Sequence, residues 1–171
     1  VTDNINIYDK IFCLRNCGRQ SKYDHIVIGY NARLDTLQAA ILRAKLKKLE
    51  GWNNMRRNAA KLYDKYLSGI KGVVTPFAGF GLKHVYHVYA IRVKNRDAVV
   101  KALKAKGVDT IVHYPIPAHL QKAYAHLGYK KGDCPVSEKI AQEIISLPMF
   151  AHLTVAQIKY IAKILKQAVK G

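Results

Sequence analysis

A long amphipathic stretch in the first half of the chain limits the possible folds more than any other feature. Apolar residues recur from Leu34 and Leu37 onward at the spacing that places them on one face of an α-helix. The pattern predicts one helix from about residue 35 to residue 67, a length typical of helices that cross between domains or subunits. Gly51 interrupts the pattern and costs roughly 1 kcal/mol relative to Ala, so two ordinary core helices are the alternative.

The residues before this stretch predict a shorter helix. Asp3 or Asn4 is placed to cap it, because short polar side chains accept hydrogen bonds from the first free N–H groups of a helix. Gly18 ends its apolar pattern. Positions 1–4, VTDN, are typical of a strand that leads into a helix. A domain rarely starts at such a point, which suggests a chain cut from something longer.

The region after residue 68 indicates a second, mixed domain. Residues 69–84 contain Gly and Pro and predict a linker. The β-branched and aromatic residues of 85–93 predict a strand, and residues 108–112 predict another. Between these strands, Asn95 is expected to cap a short helix that Gly107 ends. Together they predict an α+β or βαβ-like unit.

Two further helices are predicted near the C-terminus. The first begins at Pro135, since proline suits the first turn of a helix, and stops before Pro148. The second begins after Thr154, whose spacing from Gln157 matches a capping box.

The net charge indicates which classes of partner the chain could bind. The chain carries 29 Lys and Arg against 11 Asp and Glu, a formal net charge of +18. Such charge favours phosphate-bearing partners. The lysines are scattered, without a long basic block or zinc-finger spacing, so nucleic-acid binding is disfavoured. A solvated basic surface, or one that attracts a small polyanionic substrate, fits better. A non-catalytic basic module binding nucleic acid or nucleotides is the alternative.

Apolar runs and cysteines indicate the compartment. No stretch reaches the roughly 18 apolar residues of a membrane span, and the first twenty residues lack a signal-peptide core. The three cysteines, Cys13, Cys17 and Cys134, are too few for a disulfide framework. These features predict a cytoplasmic protein.

Histidines raise the question of a metal site. His84 and His87 are three residues apart, so they would point to opposite faces of the predicted strand and could not chelate one ion together. No thiol or carboxylate lies close in sequence to complete a ligand set. No metal site is predicted.

The segment HYPIPAH is the first candidate for function. Its prolines push the preceding residues toward extended geometry, which would hold His113, Tyr114 and His119 at fixed places over a cleft. The alternative is a rigid connector with a packed tyrosine and a capping histidine.

The segment GYNARLD is the second candidate. Free backbone N–H groups, the Asn31 amide and the Arg33 guanidinium could together receive an oxyanion such as phosphate. Alternatively, Asp35 caps the following helix and Arg33 makes a surface ion pair.

Five motifs in order resemble one enzyme family: GYNARLDTLQAAIL, WNNMRRNAAKLY, HVYHVYAIRV, VHYPIPAHLQKAY and SLPMFAHLT. Their sequence and spacing are similar to the C-terminal part of the DegT/DnrJ/EryC1/StrS family of sugar aminotransferases, which depend on pyridoxal phosphate. The resemblance implies an α/β fold: the C-terminal portion of a fold-type-I transferase, with a long connecting helix and an α+β small domain. The implied domains are 1–68, the end of the large cofactor-binding domain; 69–84, a linker; and 85–171, the small domain.

The resemblance also implies roles for particular residues. Residues matching Asn31 and Arg33 reach toward the cofactor phosphate of a neighbouring subunit, which implies a homodimer. Those matching Tyr30, His113, Tyr114 and His119 bind the substrate. The implied reaction moves an amino group, usually from glutamate, to the keto carbon of a nucleotide-linked sugar.

The resemblance implies an absence as well. The lysine that bonds the cofactor, in its Ser-Phe context, and the aspartate that pairs with the pyridine nitrogen have no matching segment here. No catalytic residue is therefore assigned, and the chain is expected to be inactive alone. It is also expected to expose apolar surface, and hence to dimerise or aggregate. Transamination and deoxygenation of the sugar ring both stay open.

Overall fold

A computed structural model describes residues 2–170 and divides the chain into two compact units, Val1–Lys48 and Leu49–Gly171. The strand exit predicted at positions 1–4 includes Val1, which lies outside the described residues. Within those residues, no helix is both long and apolar enough to cross a membrane. The cytoplasmic location stays a prediction.

Helix α1 spans Ile5–Arg15 in the first unit. The Asn4 side chain accepts hydrogen bonds from the N–H groups of Asn6 and Ile7, at 3.0 and 3.3 Å. These bonds satisfy two of the free donors at the start of the helix. The predicted helix and its cap are therefore confirmed, with Asn4 rather than Asp3 as the capping residue.

Two glycines allow the chain after α1 to pack backbone against backbone. A Cβ atom on Gly18 would lie 1.7 Å from the carbonyl oxygen of Val27, and one on Gly29 would lie 2.0 Å from the nitrogen of Gly18. Gly18 also has a φ of +75°, in the left-handed region that glycine tolerates. No other residue type fits either position without moving the backbone.

Helix α2 spans Thr36–Leu67 without interruption. The long helix predicted from the sequence is confirmed, and the alternative of two separate helices is wrong. Gly51 has open space around its Cα, so its small size is not required for packing. Its helical neighbours on both sides outweigh its low helix propensity.

The second unit contains a three-stranded antiparallel sheet in the order β1–β2–β3. The strands are β1 (Val73–Val74), β2 (Tyr89–Val93) and β3 (Ile144–Leu147). Residues of β2 pair with β3 from Tyr89↔Leu147 to Arg92↔Ile144. Because neighbouring strands are antiparallel, the α+β prediction is confirmed and the βαβ-like alternative is wrong.

The strand predictions need three corrections. The strand predicted over 85–93 begins only at Tyr89, because Tyr86 has a φ of +48°, outside the extended region, and the chain bends at residues 87–88. Residues 108–112 form no strand but a single bridge, Ile111↔Ser146. The predicted linker contains β1, a strand too short for the sequence pattern to reveal.

The helix predicted from Pro135 to the residue before Pro148 also ends earlier. Helix α4 covers Pro135–Glu143, and Ile144 is extended, with φ −74° and ψ 138°. Two adjacent isoleucines favour a strand, and the residue before a proline is pushed out of the helical region. The result is β3, which the helical pattern of 136–144 concealed.

The other helices of the unit are α3 (Arg96–Lys104) and α5 (Val155–Ala168), with two short 3₁₀ helices at Ala118–Leu120 and Lys122–Leu127. The Thr154–Gln157 capping box at the start of α5 is confirmed. Asn95 precedes α3 as predicted, but it is left-handed, with a φ of +51°, and its side chain makes no capping bond.

The core of the second unit lies between the sheet and its helices. It contains Tyr63 and Leu67 of α2, Tyr89 and Ile91 of β2, Leu103 of α3, Ile145 of β3, and Ile158 and Leu165 of α5, all at most 2% exposed. The Tyr63 hydroxyl donates a 2.8 Å hydrogen bond to the carbonyl of Pro148. Burial raises the pKa of Tyr63, so this hydroxyl stays protonated as a donor.

Arg56 of α2 joins two loops beside this core. Its Nη1 donates to the carbonyls of Tyr86 and His87, both at 3.3 Å, and of Met149 at 3.1 Å. Two of these carbonyls lie before β2 and one lies after β3. The guanidinium thus fixes the loops at the same end of the strand pair.

The first unit, in contrast, keeps most of its large apolar side chains exposed. None of the residues of α1 is buried. Along the start of α2, Leu37, Ile41 and Leu46 are 70, 52 and 67% exposed. Several large apolar side chains exposed on one helix are typical of a contact site for another protein surface.

We predict that the isolated chain associates through this surface, because burying the apolar side chains removes them from water. Sedimentation velocity over a range of concentrations should show a growing share of dimers or larger species. Ile41→Lys should reduce association, whereas the control Lys45→Gln on the same helix should not. A monomer at every concentration that binds no hydrophobic dye would contradict the prediction.

Candidate functional site

The segment that carries Tyr30, Asn31 and Arg33 has a fixed backbone in the first unit. The N–H of Tyr30 donates to the carbonyl of Leu14 at 2.7 Å, and the N–H of Ala32 donates to the carbonyl of Arg15 at 2.9 Å. Because these bonds alternate along the chain, the N–H and carbonyl of Asn31 point away from the α1 side.

The side chains on this segment are free. Tyr30 is 71% exposed, and both Asn31 and Arg33 are exposed. Within residues 2–170, neither the Asn31 amide nor the Arg33 guanidinium makes a hydrogen bond or ion pair. The surface pair considered for Arg33 is therefore absent from this part of the chain.

Asp35 occupies the N-terminus of α2. Its Oδ1 accepts from the N–H of Leu37 at 2.8 Å and from that of Gln38 at 3.4 Å. The capping role considered for Asp35 is confirmed, and an anion cannot use those N–H groups. An amide, a guanidinium and the outward N–H of Asn31 remain, and this donor set fits a phosphate.

His113 is held by a buried serine in the second unit. Its Nδ1 is hydrogen-bonded to Ser146 Oγ at 3.0 Å. Ser146 is 4% exposed and is the one buried polar residue among those the structure describes. Its N–H donates to the carbonyl of Ile111 at 2.8 Å, and its carbonyl accepts from the N–H of Ile111 at 3.3 Å. The imidazole is thus oriented by a residue of β3.

A cavity of 260 Å³ lies beside His113. It is lined by the polar residues His87, Asp109, His113 and Ser146 and by apolar residues that include Ile111, Pro148 and Met149. His84 does not line this cavity; its Nδ1 accepts the N–H of Tyr86 at 3.0 Å. Across residues 2–170, no three His, Cys, Asp or Glu side chains are grouped to hold a metal ion.

Tyr114 and His119 differ in their surroundings. Tyr114 is 73% exposed, with its ring centroid 5.6 Å from that of His113 in an edge-on arrangement. His119 is only 9% exposed and bonds through Nε2 to Glu138 Oε1 at 3.1 Å. The packed tyrosine considered for this loop is therefore not found, whereas the geometry of His119 favours a structural contact over direct substrate binding.

Glu138 is the centre of that contact. Its Oε1 also accepts the N–H of Gly132 at 2.8 Å and that of Cys134 at 3.4 Å. The Gly132 N–H, followed by His119 and Cys134, holds the pKa of Glu138 below its ordinary value of 4.5 against the opposing effect of burial. One carboxylate thus ties the HYPIPAH loop to the start of α4.

Sequence reasoning did not single out Ser146 or Asp109. Ser146 lies within the helix predicted from Pro135, and a helix there would not place it opposite residue 111. If 144–147 is assigned as a strand, a lone serine among isoleucines and leucine becomes a signal, because a buried polar residue needs a partner.

Comparison with known proteins identifies the chain. The sequence profile of the DegT/DnrJ/EryC1/StrS aminotransferase family matches residues 1–166. The chain belongs to this family. The resemblance in the five motifs is thereby confirmed.

The DegT/DnrJ/EryC1/StrS relatives are similar in both sequence and structure. A pleiotropic regulatory protein of Geobacillus stearothermophilus is 43% identical over 95% of this chain and 44% of its own length. A UDP-N-acetyl-3-dehydro-α-D-glucosamine 3-aminotransferase of Acidithiobacillus ferrooxidans is 42% identical over 100% of this chain and 46% of its own. S. venezuelae DesV, crystallised in complex with a ketimine intermediate, superposes with a TM-score of 0.91 at 34% identity, over 100% of this chain and 46% of its own.

The chain spans less than half the length of these DegT/DnrJ/EryC1/StrS relatives. The α/β fold expected from the resemblance is confirmed by the superposition on DesV, and the small antiparallel sheet of the second unit is part of it. The domain limits at 68 and 84 stay predictions.

The Glu138 contact generates a pH-dependent prediction. Because its folded pKa is lowered, Glu138 stabilises the fold above 4.5, and that contribution is lost as the pH falls through the folded pKa. Glu138→Gln should therefore be less stable than the wild type near neutral pH, and the difference should shrink as the pH falls below 4.5. Urea unfolding midpoints at several pH values measure it.

Glu143→Gln is the matched control, on the same helix. Its carboxylate lies 3.9 Å from Arg92 and accepts no backbone hydrogen bond within the described chain. The stability of this variant should keep more of the pH dependence seen in the wild type. Equal pH profiles for the two variants would contradict the role given to Glu138.

Proposed function

We propose that this chain forms part of a pyridoxal-phosphate-dependent aminotransferase that acts on a nucleotide-linked keto sugar, with glutamate as the amino donor. The observation that carries the proposal is the pair of free donors, Asn31 and Arg33, on a segment whose backbone is fixed by hydrogen bonds to α1. Family membership and the UDP-sugar named for the Acidithiobacillus relative support it.

Asn31 and Arg33 would hold the cofactor phosphate. A guanidinium presents paired N–H donors that match phosphate oxygens, and an amide adds a neutral donor. When bound, pyridoxal phosphate supplies the electron sink that lets an amino group be exchanged. The side chains of this segment bind and orient the phosphate and take no part in moving protons.

One segment alone does not enclose a phosphate, so we propose that Asn31 and Arg33 meet the cofactor of a second copy in a homodimer. The exposed apolar residues of α1 and of the first half of α2 support such a contact, because they lie in the same unit as these donors. Burying them on a second copy would exclude water around the phosphate.

Tyr30, His113 and Tyr114 would bind the substrate. With Nδ1 engaged by Ser146, His113 has Nε2 left for a hydrogen bond to a sugar hydroxyl or keto oxygen. Tyr30 and Tyr114 offer exposed hydroxyls and rings. His119 belongs to the same loop and would act by holding it through Glu138 rather than by contacting the sugar. The +18 charge suits the diphosphate of such a substrate.

The phosphate role is tested by titrating the isotope-labelled chain with inorganic phosphate and following the side-chain NMR signals of Asn31 and Arg33. We expect saturable shifts at both and at least about a tenfold weaker affinity in Arg33→Gln, because a hydrogen bond to a charged group contributes about 1.5 to 3 kcal/mol. Arg43→Gln, an exposed arginine of α2 in the same unit, is the control. Equal losses in the two variants would overturn the role of Arg33.

We also propose that this chain alone does not turn over substrate, and covalent labelling tests this. The family's cofactor-bonding lysine has no matching segment in these 171 residues, so incubation with pyridoxal phosphate followed by borohydride should label no single lysine. Intact mass and peptide mapping measure the labelling. Stoichiometric labelling of one lysine would show that the nucleophile lies within this chain and would overturn this part of the proposal.

A further inference from the structure

A second cavity of the Leu49–Gly171 unit contains none of the residues to which a role in binding cofactor or substrate was given above. It has a volume of 460 Å³ and lies between the first turns of α5 and the loops that follow α3 and β3. Its walls are mostly apolar and include the rings of Phe150 and Tyr160, which are 42 and 46% exposed. We name it the aromatic groove. Its volume falls within the range of about 300 to 1,000 Å³ of small-molecule sites.

The aromatic groove adjoins the His113 cavity. The two cavities share Asp109 and Pro148 as lining residues. A ligand that occupies both would place one end against His113 and the other between the groove walls. A sugar nucleotide is a ligand of this form, with a polyhydroxylated ring at one end and a flat heterocycle at the other.

Tyr160 is held in place within the groove. Its hydroxyl donates a 2.9 Å hydrogen bond to the carbonyl of Lys106. The bond fixes the far end of the side chain and leaves the ring as a wall of the groove. A fixed aromatic ring favours a flat ligand, because stacking then costs little side-chain entropy.

Two polar side chains at the groove offer hydrogen-bonding groups that could contact the edge of such a flat ring. The carboxylate of Asp109 has neither a hydrogen bond nor an ion pair within the described part of the chain. In Gln157, Oε1 accepts from the N–H and the hydroxyl of Thr154, at 2.9 and 3.0 Å. That capping contact turns the amide so that its NH₂ group stays available as a donor.

We propose that the aromatic groove binds a uracil-type base, the nucleotide end of the sugar nucleotide; this assignment rests on the proposed function. Asp109 accepts the N3–H of the base, and the NH₂ of Gln157 donates to a ring carbonyl beside it. Phe150 and Tyr160 pack against its faces. The sugar then extends past Pro148 toward His113.

The pairing at Asp109 makes the groove selective for uracil over cytosine. Uracil carries a hydrogen on N3, whereas N3 of cytosine is an acceptor with a lone pair. A carboxylate facing an acceptor is repulsive, so cytosine loses the bond and gains an unfavourable contact. The phosphates and ribose of the two nucleotides are identical, so scattered lysines attract both equally.

The test compares UMP with CMP as ligands of the full chain, by calorimetry and by NMR of the Phe150 and Tyr160 ring signals. We expect UMP to bind at least about tenfold more tightly than CMP. Asp109→Asn should bring the two affinities within about threefold, because an amide can pair with either base edge. Phe150→Ala should weaken UMP at least about tenfold, with Phe77→Ala, a 91% exposed ring outside both cavities, as its control.

Three results would overturn the assignment: no binding of UMP in the millimolar range, equal affinity for UMP and CMP, or an unchanged preference in Asp109→Asn. Circular dichroism of each variant checks that it folds, and the 42% exposure of Phe150 makes its truncation tolerable. The phosphate test at Arg33 lies in the other compact unit. A negative UMP result therefore does not change the outcome of the phosphate test, and failure of this assignment can be told apart from failure of the proposed function.

Discussion

The pairing of β3 with β2 sets the positions of the polar groups around His113 in the second unit. In this register Ile145 lies opposite Ile91, and both side chains are fully buried, whereas Ser146 next to it lies opposite Ala90. Successive side chains point to opposite faces of a sheet, so a shift by one residue would place an isoleucine where the hydroxyl meets His113. The same pairing ends at Leu147, directly before Pro148, whose carbonyl accepts the hydrogen bond from the Tyr63 hydroxyl. One strand register thus positions the imidazole, the cavity beside it and the core bond behind it.

The first unit uses a different principle to present its candidate residues. Its backbone is fixed by close packing of main chain on main chain at Gly18 and Gly29, while most of its large apolar side chains stay exposed. Such a segment holds Asn31 and Arg33 in place without a core of its own. The arrangement is consistent with a unit whose hydrophobic contacts are made with another surface, and it separates the geometry of the donors from the stability of the second unit.

Much of the helical structure could be predicted from the sequence, and most of the sheet could not. Helix α2, the Asn4 cap and the Thr154–Gln157 capping box each depend on residues close together in the chain, where spacing and side-chain chemistry decide the outcome. Strand β3 depends on a partner more than fifty residues away, and its sequence fits the helical period of α4 just as well. Of the candidate site, GYNARLD and HYPIPAH stood out because polar residues meet glycine or proline there. Ser146 and Asp109 did not, since their meaning comes only from tertiary contacts.

The guanidinium of Arg56 has a mechanical consequence for the cavity beside His113. It donates to carbonyls on both loops that flank the β2–β3 pair, and two of those carbonyls belong to His87 and Met149, which line the cavity. Neither loop can swing outward alone without breaking a charge-assisted bond. The Arg56 bonds therefore tie the two sides of the rim together, and a ligand of this cavity would be selected by its size and shape rather than enclosed by a moving loop. Such a cavity would have its selectivity built into the free protein, before any ligand arrives.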